Sequence, residues 1–74
     1  MPIRFLRLSD VMKRTALSRS SIYLRRSQGL FPEPIPLGGR AVGWLESDIE
    51  DWANQQIKLY KQRKKNANEV AVTN

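Results

Sequence analysis

Every second residue from Pro32 to Pro36 is a proline, and this one stretch constrains how the rest of the chain can be built. Rings that fix φ and lack an N–H rule out a helix there and favour an extended segment with few donors for a sheet ladder. Gly29 stands just before the stretch and Gly38-Gly39 just after it, so turns are expected at both ends. The chain is thus divided into a segment before Gly29, an extended centre and a segment after Trp44. At 74 residues it has room for one domain. A chain of this size removes roughly 60% of its unfolded surface from water on folding, which predicts a thin core.

In the first segment, Arg4-Phe5-Leu6-Arg7-Leu8 alternates loosely, as a short edge strand or an extended lead-in would. Ser9 is placed to cap a first helix running to about Arg14, with Asp10 at the positive end of its dipole and Leu8, Val11 and Met12 as the apolar stripe. Thr15-Ala16-Leu17 makes a tight connection to Ser18, the expected cap of a second helix that runs to Gln28 and stops at Gly29. Two short helices joined by about three residues form the helix-turn-helix pattern.

Beyond the prolines, Leu37, Gly38-Gly39 and Arg40-Ala41-Val42-Gly43-Trp44 spell a small hairpin, since the glycine pair supplies positive φ for a tight turn. Such a hairpin is a wing with Arg40 at its tip. A last helix is expected from Ser47, where Ser47 and Glu50 match a capping box. Its apolar stripe is Ile49, Trp52, Ala53, Ile57 and Tyr60, spaced as one buried face requires. Both Trp44 and Trp52 are expected in the core, because a small domain needs bulky burial. The fold class that follows is mainly α with a small β-hairpin, a winged helix-turn-helix over residues 1–61. Residues 62–74 form a basic, polar and flexible tail in this reading.

Charge bears on the partner. The net charge is +6 and the pI about 10.3. Residues 1–46 hold eight Lys and Arg against three acids, residues 47–57 hold three acids and no base, and residues 58–74 hold five bases against one acid. Positive charge therefore lies on the helix-turn-helix half and on the tail, as a polyanion-binding chain would carry it. On the second helix, spacing by three and four sets Ser18, Ile22, Arg25 or Arg26, and Gly29 to one side, and Arg19, Ser20, Tyr23 and Ser27 to the other. Ile22 is the one fully apolar residue of the inward set. The outward set offers a guanidinium for guanine edges or phosphate, hydroxyls for phosphate, and a ring with a polar tip. On an isolated helix such a face is usually just solvated. Joined to a preceding helix, a wing and basic charge, it points to double-stranded DNA. Arg40, beside Gly39, would reach a minor groove or a phosphate. The candidate DNA-binding residues are Arg19, Ser20, Tyr23, Ser18, Arg26, Ser27, Arg40 and Gly39.

Other classes find less support. The chain has neither cysteine nor histidine, so a disulfide framework or a zinc site of those ligands is excluded. Asp48, Glu50 and Asp51 cluster at a helix start, where the dipole accounts for them, and no glycine pattern matches a phosphate loop. Neither an enzyme nor a cofactor is expected. Apolar runs are too short for a membrane span, no secretory signal is evident, and a cytoplasmic location is expected. RNA binding is disfavoured, since no aromatic stacking platform on a sheet is evident.

Phe5-Leu6-Arg7-Leu8, Thr15-Ala16-Leu17-Ser18-Arg19-Ser20-Ser21-Ile22-Tyr23, Gly29, Phe31-Pro32-Glu33-Pro34 and Leu37-Gly38-Gly39-Arg40-Ala41-Val42-Gly43-Trp44-Leu45-Glu46 resemble, in this order, the AlpA-type regulators of prophages and genomic islands. The resemblance covers about residues 4–57. It implies a small branch of the winged-helix group that includes MerR-type domains and phage excisionases. It further implies a DNA-binding protein that activates an integrase gene or acts with integrase in excision, with copies side by side on bent DNA. The family's recognition helix falls on Ser18 to Gln28, with Arg19, Ser20 and Tyr23 as contacts, and its wing on Gly38 to Val42 with Arg40. Many members are apolar near positions 25 and 26, where this chain has Arg25-Arg26. Their aliphatic stems are expected to cover the core while the charged ends reach solvent or phosphate. The main alternative is a protein-interaction adaptor whose wing or last helix docks on integrase or RNA polymerase. A transcription factor without an architectural role would use the same residues.

Overall fold

The computed structural model describes the backbone of residues 3–73 and the side chains of residues 3–64. In chain order the elements are β1 (Phe5–Leu6), α1 (Leu8–Thr15), α2 (Arg19–Ser27), β2 (Ile35–Gly38), β3 (Ala41–Leu45) and α3 (Glu46–Thr73). Both helices of the first segment end on local chemistry. The Thr15 hydroxyl donates to the Val11 carbonyl at 2.7 Å, and Ala16 then turns left-handed at φ 60°, its N–H reaching the Met12 carbonyl. At the start of α2 the Ser18 hydroxyl accepts from the Ser21 N–H at 3.2 Å, the cap expected there. The far end closes by a double bond pattern: Leu30 N–H to the Arg25 carbonyl and Gly29 N–H to the Arg26 carbonyl, with Gly29 at φ 72°.

α1 departs from expectation at its start. It begins at Leu8, with Arg7 as a cap residue that makes no side-chain bond, so Ser9 is not the cap. The Arg7 carbonyl already accepts the Val11 N–H at 3.0 Å, and Leu8 packs against the core, which draws the helix one residue earlier.

β3 is the middle strand of a three-stranded antiparallel sheet in the order β1-β3-β2. Leu6 faces Trp44 on one side and Pro36 faces Val42 on the other. The hairpin starts earlier than Leu37, at Ile35, and takes Pro36 into β2. An edge strand is where a sheet tolerates a proline. Between Pro36 and Gly38 the register slips, and Gly39 and Arg40 turn the chain, with Gly38 at φ 108° and Gly39 at φ 56°.

The core takes one residue from every element except β2 and one from the connector: Leu6, Val11, Ile22, Phe31, Trp44 and Ile49. Leu8, Met12, Leu17 and Trp52 pack against it. The two indoles tie down the proline-rich connector. Trp44 donates its Nε1–H to the Pro32 carbonyl at 3.0 Å and Trp52 donates to the Leu30 carbonyl at 3.0 Å. The Phe31 and Trp52 rings meet edge to face at 4.9 Å, an arrangement worth about 0.5–1.5 kcal/mol beyond the area it buries.

α3 corrects two expectations. It starts at Glu46, so Ser47 lies inside the first turn, and among the described residues Ser47 and Glu50 form no capping box. The first donor is met from elsewhere, by the Arg4 carbonyl accepting the Glu46 N–H at 2.9 Å, while the Glu46 carboxylate pairs with Arg14 at 2.8 Å and Arg4 at 3.8 Å. The stripe also buries less than its spacing suggests. Ile49 is buried and Trp52 and Ala53 are half-buried, but Ile57 and Tyr60 are 52% and 57% exposed. Neither Ile57 nor Tyr60 packs against the core. The helical backbone continues to Thr73, past the expected end at Lys61. The expectation of a flexible tail over residues 62–74 falls mostly on side chains outside the described residues. Helices on a hairpin-edged sheet, with α1 and α2 joined by Ala16–Ser18, make this a winged helix-turn-helix.

Candidate nucleic-acid interface

One buried residue seats α2. Ile22 is fully enclosed, while Arg19, Ser20, Tyr23, Leu24 and Ser27 are exposed. At about 100° per residue the exposed surface of α2 divides into three strips. Arg19, Tyr23 and Arg26 run along one flank, Ser20, Leu24 and Ser27 along the crest opposite Ile22, and Ser21, Arg25 and Gln28 along the other flank.

The expected contact residues are not equivalent. Arg19 and Ser20 are exposed, and among the described residues Arg19 has no carboxylate partner. Tyr23 is 46% exposed, with the Arg26 guanidinium carbon 5.8 Å from its ring centroid, within the range of a cation–π contact. Arg26 itself is committed. Its Nη2 donates to Glu33 Oε2 at 3.0 Å, and its Nε is buried without a hydrogen-bond partner. Glu33 thus draws the charge of Arg26 away from the outward surface and fixes it beneath the tyrosine. Arg25 and Arg26 are both half-buried, as the covering role of their stems anticipates.

Two serines serve the helix first. Ser18 caps the N-terminus, and its hydroxyl also donates to Ser21 Oγ at 3.0 Å and lies 3.3 Å from Ser20 Oγ. The Ser27 hydroxyl donates to the Leu24 carbonyl at 2.6 Å, leaving it only as an acceptor towards a ligand. Arg40 and Gly39 form the two-residue tip of the wing. Arg40 is exposed and, among the described residues, free of any ion pair. The side chain that the face-by-face reading passes over is Leu24, on the crest and 56% exposed. Its position two residues from Ile22 is the sequence signal that marks it.

An open cleft of about 940 Å³ lies beside the other flank, with Arg25, Leu30, Asp48, Asp51, Trp52 and Leu59 among its lining residues. Among the described residues no group of His, Cys, Asp and Glu could hold a metal ion, and no helix is long and apolar enough to cross a membrane.

Comparison with known proteins adds a family. The profile described as "Prophage CP4-57 regulatory protein (AlpA)" matches residues 4–57. The chain is 36% identical over 63 residues to the DNA-binding transcriptional activator AlpA of Escherichia coli K12, covering 77% of this chain and 90% of that one. It is also 47% identical over 54 residues to the uncharacterized protein ORF88 of Enterobacteria phage P4, across 73% of this chain and 61% of that relative. No solved structure matches the chain. Residues 4–57 run from just before β1 to a full turn past Trp52, so the match takes in the whole sheet, both short helices and the core. With the helix-turn-helix and wing in place within those bounds, the chain belongs to the AlpA family of prophage regulatory proteins.

Proposed function

We propose that this chain is a sequence-specific double-stranded DNA-binding regulator of a prophage or related integrated element. α2 enters the major groove, and the wing lays Arg40 on the adjacent minor groove or backbone. The observation that carries the reading is the outward side of α2. It is a capped helix held by one buried residue, with Arg19 and Tyr23 exposed on its surface and Arg40 at the tip of the neighbouring hairpin, both arginines without an ion pair among the described residues. A relative named a DNA-binding transcriptional activator supports it. The use proposed is activation of an integrase gene, direct action with integrase in excision, or both, with copies side by side on the DNA.

The geometry supports the following division of roles. Arg19 reads a base edge, Ser20 and Tyr23 hold the backbone or a base beside it, and Ser18 and Ser27 chiefly maintain the helix. Arg26 braces Tyr23, and Gly39 gives Arg40 its turn. The test is binding of the full chain to duplexes selected from a random pool. Arg19→Ala should narrow the gap between selected and random duplex by about 1–3 kcal/mol. Arg40→Ala should weaken both and lower the slope of log K against log salt by roughly 0.9. Failure of the wild-type chain to bind any duplex would leave the adaptor reading in its place. Footprinting on an attachment site against an integrase promoter separates excision from transcriptional activation.

A further inference from the structure

We infer that Leu24 is a specificity-determining residue, reading the 5-methyl group of a thymine in the major groove. The inference rests on the proposed entry of α2 into that groove and names a chemistry that the polar contacts do not supply. Two residues at about 100° each place Leu24 roughly opposite Ile22, on the line of closest approach to whatever α2 docks against. Its neighbours on that line are Ser20, one turn before, and Ser27, one turn after. Both are short, and both are held to the helix: Ser27 Oγ bonds the Leu24 carbonyl at 2.6 Å, and Ser20 Oγ lies 3.3 Å from Ser18 Oγ. Leu24 is therefore the side chain that stands highest on the crest. Arg19 and Arg26 lie on one flank and Arg25 on the other, so no arginine shares the crest with Leu24.

A leucine cannot donate or accept a hydrogen bond, so on the floor of a major groove it distinguishes bases only by the apolar group that thymine carries and cytosine lacks. Scattered exposed leucines are ordinary on protein surfaces. The difference here is position. This leucine, 56% exposed, sits between two hydroxyls on the crest of the helix that the fold presents outward, where solvation alone would favour another polar side chain.

The experiment uses the full chain and a duplex selected from a random pool for tight binding. Each thymine within the footprint is replaced in turn by deoxyuridine, which removes one methyl group and leaves base pairing intact. At one thymine per bound copy the wild-type affinity should fall about fourfold, as loss of one buried methyl predicts. Leu24→Ala should bind the thymine duplex more weakly and no longer distinguish it from the uracil duplex. Thermal unfolding of Leu24→Ala should match the wild type, since the side chain is exposed. If no thymine shows the effect, or Leu24→Ala retains it in full, the inference is overturned while the DNA-binding reading stands. If the wild type selects no duplex at all, the DNA-binding reading fails and takes the inference with it.

Discussion

α2 and residues 54–64 of α3 are both helical and both rich in arginine or lysine, yet they stand in opposite relations to the core. α2 is nine residues long and has one buried side chain, but it is capped at one end, closed by Gly29 at the other and seated on Ile22. α3 is 28 residues long and carries apolar residues at helical spacing from Ile49 to Tyr60, yet past Ala53 the side chains of Ile57 and Tyr60 stay more than half exposed. Periodicity states which face a helix would bury. Whether the face is buried depends on other elements being there to meet it. A short helix can thus be held by few residues, while a long one with apolar residues at helical spacing leaves Ile57 and Tyr60 largely exposed.

The contrast can be broken most directly at Ile22. Ile22→Ala should cost about 2–5 kcal/mol, a large part of the stability of so small a domain, and should appear as a collapse of the thermal midpoint. A shift of only a degree or two would mean that α2 is held mainly by its ends. Ser18→Ala should come next, at about 1 kcal/mol, read by denaturant midpoint at unchanged slope. On the α3 side, Ile57→Ala should change stability by no more than about 0.5 kcal/mol, as an exposed position does. A cost above about 2 kcal/mol would show that Ile57 is covered in solution. Deleting residues 62–74 should have the smallest effect on unfolding, while lowering DNA affinity at low salt through loss of Arg63, Lys64 and Lys65. Altered sequence preference in the shortened chain would show that this segment reads bases.

What could be read from the sequence follows the reach of each interaction. Ser18 and Gly29 were legible because a cap needs one side chain and its own next turn, and a closing glycine needs one φ. The wing was legible for the same reason, through Gly38-Gly39. Ile22 as the inward residue followed from a count of apolar positions. The start of α3 was not legible, because its first donor is met by the Arg4 carbonyl at the head of the neighbouring strand, far away in sequence, and no local pattern announces that bond. The exposure of Ile57 and Tyr60 depends on where the rest of the molecule ends. At the interface, Arg19, Ser20 and Tyr23 emerge on the surface as expected, but the commitment of Arg26 to Glu33 needed the path of the proline connector to be known.

That connector has a mechanical side. Two indoles grip carbonyls two residues apart, Leu30 and Pro32, and one of those indoles belongs to the strand that carries the wing. In the proposed mode of binding α2 and the wing are two jaws joined through this connector, and the indole hydrogen bonds help to set their opening. A duplex that meets both jaws has to supply the matching spacing between its grooves. Sequences that bend or narrow easily at the right step would fit at lower cost, including at base pairs the protein never touches.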